Sequence, residues 1–244
     1  MIEAFNEYVS NYDLNNIDIK SKYNHSLRVM ELSKKYATLL GFSDEDIELA
    51  TLIGLLHDIG RFEQLRVYNT YNDLRTIDHA DYSVIQLFDK GLIKKFTDKE
   101  EWYPIIYHAI KYHNKPELKL TNDKRINMHS KLIRDADKVD IIYLLGVLGE
   151  LNQKCDKDLI TPSVLETFKN HKFIARKDTK NRNDRILIQF AFAFDINNNI
   201  ALKDFRKYII YFGKQIEGGK QFDEVLNIVL EYIDKRLDKD GNEY

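Results

Sequence analysis

The apolar parts of this chain carry side chains that water would normally keep: His25, the adjacent pair His57-Asp58, and Asp137. On a helix, His25 shares a face with Val29, Leu32, Tyr36 and Leu39, so its imidazole points inward. An inward imidazole is either a hydrogen-bonded core group or a metal ligand. In "ATLIGLLHDIGRFEQ", residues 50–64, a helix apolar on every side ends in His57-Asp58, with Gly60 read as its stop. Neighbouring residues on a helix point about 100° apart, so the pair can reach one centre only where the helix ends. The macrodipole opposes a carboxylate at that end, so Asp58 calls for a positive partner, and a cation is the strongest one available. Ile133, Asp137, Ile141, Leu144 and Leu148 form an apolar stripe with a single carboxylate in it. A lone buried carboxylate is costly unless it is paired or bound to metal. Asp137 therefore pairs with a Lys or Arg, or joins the other inward groups; Asp135, Lys138 and Asp140 lie on neighbouring faces.

Further histidines follow the same logic. His79 opens the helix beginning "IDHADYS", beside a polar loop. His108 and His113, in "YHAIKYHN", lie about 140° apart and cannot share a face. His113, at the helix end, suits the rim of a site, whereas His108 reads as a core or supporting group. His129 and His171 sit in polar surroundings and read as surface residues.

The elements that must position these groups are helices. Three prolines and ten glycines leave long uninterrupted segments with helical periodicity. The pattern predicts helices over 2–15, 22–40 and 44–58, the last opened by Ser43 and Asp46. A polar loop over 66–76 precedes a helix over 77–90. Thr97 and Glu100 read as a capping box opening the next helix, in which Pro104 makes a kink or marks the true first turn. That helix stops before Asn114-Lys115-Pro116. A strong helix over 127–150 leads into a mixed region, 151–183, containing the polar stretch "ARKDTKNRND", read as an exposed loop. Helices resume over 184–194, 201–216 and 221–238; "ILIQFAFAF" reads as a buried helix or a strand. The reading is an all-α single domain, with residues 1–150 as its core and 151–244 as a C-terminal helical extension packed on it.

Hydrophobic residues at 43% and aromatics at 12% are enough for a sizeable core. Lys+Arg and Asp+Glu nearly cancel, at a net charge of -2, so no whole-chain field collects nucleic acid or anionic membrane. The longest apolar run, 47–56, is interrupted by Glu48 and too short to span a bilayer. The acidic, amphipathic "MIEAFNEYVSNYD" is unlike a signal peptide. Cys155 is the only cysteine and reads as an inert thiol. The chain is expected to be cytoplasmic, with no membrane and no nucleic-acid partner; a homodimer stays open.

The order His25, His57-Asp58, Asp137 resembles the HD superfamily of metal-dependent phosphohydrolases, whose pattern is His, an adjacent His-Asp and a distant Asp on a helical bundle. "LLHDIGR" looks like the "LLHDIGK" form of that motif. "AIKYHN" resembles the "AI-x-x-H" segment of the binuclear branch, and "DADK" resembles the Ala-Asp segment that closes the pattern. The resemblance covers about residues 22–148. It implies an HD-type bundle in which His25, His57, Asp58 and Asp137 hold a first metal. Asp135 is the alternative to Asp137. His79 and His113 would add a second metal, with Asp58 bridging. One or two divalent ions (Mn, Fe, Zn, Ni or Mg) suit such ligands, which do not choose among them. The resemblance further implies metal-activated water attacking a small, nucleotide-like phosphate ester, with Asp58, Arg61 and Lys138 as catalytic candidates. Arg66, Arg75, Lys111 and Lys115 are further phosphate contacts to consider, and Asn69, Asn72 and Asp73 could shape the pocket. The segment "YHNKPELKL" lacks the His-His-Glu and Gly-Tyr-Pro of the cyclic-di-GMP-cleaving branch, which argues against that substrate. The alternative is an HD-fold module that binds a metal or nucleotide without turnover.

Overall fold

Asn16, Ser43, Asp78, Asn181 and Asn198 each turn a side-chain oxygen onto the first backbone amides of the helix that follows. These short polar side chains satisfy donors that a helix start otherwise leaves unpaired, and so set where the helices begin. The computed structural model describes residues 1–149, 155, 159–216 and 220–240. The described residues are all-α, with no strand among them. None of their helices is long and apolar enough to cross a membrane.

Two compact units divide the chain, Met1–Asp137 and Lys138–Tyr244. The first contains α1 (Ile2–Val9), α2 (Ile17–Leu39), α3 (Asp44–Leu56), α4 (Gly60–Tyr68), α5 (His79–Val84, continued by a π-helical turn Ile85–Asp89) and α6 (Tyr103–Tyr112). It ends within α7 (Lys124–Tyr143). Helices α2 and α3 pack along each other because Gly54 has no side chain. A Cβ there would lie 2.9 Å from both Val29 O and Met30 Cα. Around this contact Val29, Met30, Tyr36, Leu52, Ile53, Leu56, Ile106 and Ile110 are buried. The second unit holds the rest of α7, a π-helical turn Leu144–Leu148, α8 (Pro162–Lys169), α9 (Arg182–Ala191), α10 (Asn199–Gln215) and α11 (Lys220–Asp240). Phe168, Phe190, Phe205, Phe212, Val229 and Ile233 make its core.

Several local expectations change. Helix α1 stops at Val9, and α4 runs through Tyr68 into the segment expected to be a loop. Gly60 is not a left-handed cap: it opens α4, and its missing Cβ lets α4 meet α5, since a Cβ would sit 2.5 Å from Ser83 N. No capping box forms at Thr97. Its hydroxyl accepts from Lys99 N, and α6 begins at Tyr103 with Pro104 in the first turn, where a missing N–H costs nothing. Helix α8 was not foreseen, and "ILIQFAFAF" is helical. The end of "ARKDTKNRND" is buried rather than exposed: Asp184 accepts from Thr161 and from Lys180 N. Residues 150–154 and 156–158, where the 127–150 helix was expected to end and the mixed region to begin, lie outside the described residues. The division between the two units falls after Asp137, inside α7.

Candidate metal centre

His25 lies inside α2, His57 follows the last residue of α3, and Asp137 lies inside α7. Their functional atoms meet. His25 Nε2 is 3.2 Å from His57 Nε2 and 3.2 Å from Asp137 Oδ1, which is 3.6 Å from His57 Nε2. Asp58 turns Oδ2 to the same two imidazoles, at 3.6 and 3.8 Å. Its other oxygen, Oδ1, faces a second pair: His79 Nε2 at 3.6 Å and His113 Nε2 at 3.8 Å, themselves 3.2 Å apart. One carboxylate thus stands between two histidine pairs, and His57, Asp58 and His113 are almost wholly shielded from water.

The tautomers follow from the acceptors around them. His57 Nδ1 faces Gly54 O at 2.8 Å and His113 Nδ1 faces Ile110 O at 2.7 Å. A carbonyl only accepts, so both protons sit on Nδ1 and both Nε2 atoms are bare. His79 Nδ1 faces the Asp73 carboxylate at 2.5 Å, which leaves its Nε2 bare as well. Burial pushes the His79 pKa down, and it takes His113 to about 3 with help from the neighbouring imidazoles, so both rings are neutral near pH 7. Two imidazole lone pairs and Asp58 Oδ1, a buried oxygen with no hydrogen-bond partner, therefore point at one another. Three acceptors so placed repel unless a cation lies among them. The residues present fit a metal: His25, His57 and Asp58 form one group able to hold an ion, and Asp58, His79 and His113 form another. Burial raises the pKa of Asp58 and Asp137, yet both carboxyls lie well below the usual range. The positive charges of Lys22 and Arg61 act on Asp58, and a hydrogen bond from His25 acts on Asp137.

Residues 23–142 match the family model of the HD domain. The chain belongs to the HD superfamily. No curated protein and no solved structure matches it. The matched segment contains His25, His57, Asp58, His79, His113 and Asp137.

Other expected members of the HD site fall elsewhere. The Arg61 guanidinium donates from Nη1 to Gln64 Oε1, Tyr71 O and Asp73 Oδ1 at 2.8–2.9 Å, while its Nε is 3.8 Å from Asp58 Oδ1. Lys138 is committed within the second unit, its ammonium 2.8 Å from Asp195, because it points about 100° away from Asp137 on the same helix. Asp135 is fully buried and belongs to neither group of ion-holding side chains. Arg66 pairs with Glu63, Lys111 donates to the Tyr107 hydroxyl, and Lys115 pairs with Asp78 and Asp81. His108 meets Ser130 Oγ at 3.0 Å. His129 is not a surface residue: it is 1% exposed, with Nε2 2.9 Å from Asp46. Cys155 is half-buried.

Two contributors were missed. Lys22 Nζ lies 2.8 Å from Asp58 Oδ2; its position three residues before His25, one turn away on the same face, was the available signal. Arg134, 2% exposed, donates to the carbonyls of Tyr112, His113 and Lys115 and so fixes the chain around His113. Nothing in its local sequence marks it, since its partners lie some twenty residues away.

Proposed function

We propose that this HD domain binds two divalent cations and hydrolyses a small, nucleotide-like phosphate ester. The observation that carries the reading is the ring of imidazole acceptors around Asp58 Oδ1, a buried oxygen that accepts no hydrogen bond, with Arg61 Nε standing off at 3.8 Å. Proteins with HD domains are typically metal-dependent phosphohydrolases, and this chain carries the His, His-Asp and Asp of the motif as His25, His57-Asp58 and Asp137. His25, His57, Asp137 and Asp58 Oδ2 would hold one ion; Asp58 Oδ1, His79 and His113 would hold the other. Bound there, divalent cations lower the pKa of water and neutralise phosphoryl charge. The chain supplies the rest. His57 and His113 are fixed in the metal-ready tautomer by main-chain carbonyls, Asp58 is kept ionised, and Lys22, whose side chain is 23% exposed, offers a positive charge to an entering anion.

The test is phosphate or nucleotide release from a panel of nucleoside mono- and diesters by Mn²⁺-loaded protein. Turnover that needs Mn²⁺, stops with chelator and is absent in Asp58→Ala is the expected result. Two bound ions with no turnover on any ester would move the assignment to a metal-binding module.

A further inference from the structure

Asp73 lies in the segment between α4 and α5, and both of its oxygens are engaged. Oδ2 accepts from His79 Nδ1 at 2.5 Å; Oδ1 accepts from Arg61 Nη1 at 2.8 Å and from Gln64 Nε2 at 3.0 Å. Gln64, fully buried in α4, also donates to Thr76 Oγ1 and Ile77 O, both at 2.9 Å. Arg61 also donates to Tyr71 O at 2.9 Å, and the Tyr71 hydroxyl reaches Asp18 O at 3.1 Å. Two side chains of α4 thus hold the segment 71–77 along its length, and the segment delivers one carboxylate to one imidazole.

That imidazole needs it. His57 and His113 each place Nδ1 on the carbonyl three residues earlier in their own helix. His79 is the first residue of α5 and has no preceding helical turn to provide such a carbonyl. Its tautomer and ring angle are therefore set by an acceptor borrowed from the segment. A charged acceptor also raises the basicity of the opposite nitrogen.

We propose that Arg61, Gln64 and Asp73 form a latch that positions His79, so that affinity for the second cation depends on the segment 69–78 while the first cation is held independently of it. This rests on the two-cation reading above. Arg61 then acts through Asp73 as a positioning residue, and Asp73 is not itself a ligand.

The experiment titrates Mn²⁺ alone into the metal-free full-length chain, followed by calorimetry and by electron paramagnetic resonance. Wild type should take up two ions with an exchange-coupled spectrum. In Asp73→Asn and in Arg61→Met, the first ion should bind within about twofold of wild type and the second about 10- to 100-fold more weakly. The coupled spectrum should give way to that of an isolated ion. Unchanged second-ion affinity in both variants overturns the latch and leaves the proposed function intact, and so does equal weakening of both ions. Failure of both variants to fold, checked by circular dichroism, also overturns it, because the network would then be a structural staple. A wild type that binds one ion, or none, overturns the two-cation reading and the latch with it.

Discussion

His25 and Asp137 stand inside helices of 23 and 20 residues, whereas His79 opens a helix of six and His113 follows the last residue of a helix of ten. The two halves of the centre share Asp58 but are positioned by different means. In the first half, apolar packing does the work: Gly54 brings α2 against α3, and buried neighbours such as Val29, Leu52 and Leu56 fix where His25 and His57 point. In the second half, polar side chains do it. Asp78 caps α5 and takes the Asn114 amide and the Lys115 ammonium from beyond α6, Arg134 gathers the carbonyls around His113, and Asp73 turns His79. Long helices buried along one face carry a ligand rigidly. Short elements bury too little apolar surface to do so and need explicit hydrogen bonds.

The contrast can be broken most directly at the residue both halves use. Asp58→Ala should abolish uptake of both ions and reduce turnover to background, measured by metal content per chain and by ester hydrolysis; retention of one ion would show that the halves are not joined through this carboxylate. Arg134→Met strips the donors from the carbonyls around His113 and should lower stability by about 3 kcal/mol. Denaturant unfolding checks this, and the second ion should weaken more than the first. Gly60→Ala forces a Cβ against the backbone at Ser83. It should cost about 2 kcal/mol, seen as a lower melting temperature, and should disturb α5, and so His79, before His25. The smallest effect belongs to the Asp46 staple, which ties α3 to His129 and Arg125 of α7 on the helices of the first half. Burial raises the Asp46 pKa, but the His129, Arg125 and Ser43 hydrogen bonds bring it down to about 2. A carboxylate whose folded pKa is depressed stabilises the fold above its unfolded pKa, near 3.9, and loses that contribution as pH falls through about 2. Asp46→Asn should therefore be less stable than wild type near neutrality by at most about 1 kcal/mol. The gap should close between pH 4 and 2; melting curves across that range provide the check, and a constant gap would remove the electrostatic role.

How legible the site was depended on the half. His25, His57-Asp58 and Asp137 stood out because polar groups on apolar helical faces break a pattern that extends over many residues. His79 and His113 occupy helix ends, where a histidine breaks no pattern, and they were reached through their places in the family motif. Gly60 shows a limit of the same kind: a glycine that ends a helix and one that lets two helices touch read alike, and the difference is a neighbour more than twenty residues away. His129 was misread for the converse reason, since its polar sequence neighbours point elsewhere while Asp46 and Phe42 enclose it.

By itself, the sequence determined the helical class, most helix starts and the inward-facing chemistry of the first half, because caps and periodicity act within a few residues of one another. It also carried the family pattern that the matched segment bears out. Tertiary structure alone decided that Lys22 leans on Asp58, and that Arg61 serves a loop carboxylate while Lys138 serves Asp195. Those outcomes depend on which long side chain reaches which distant partner. Such a choice is made by distance and burial once the helices have packed, and no local pattern records it.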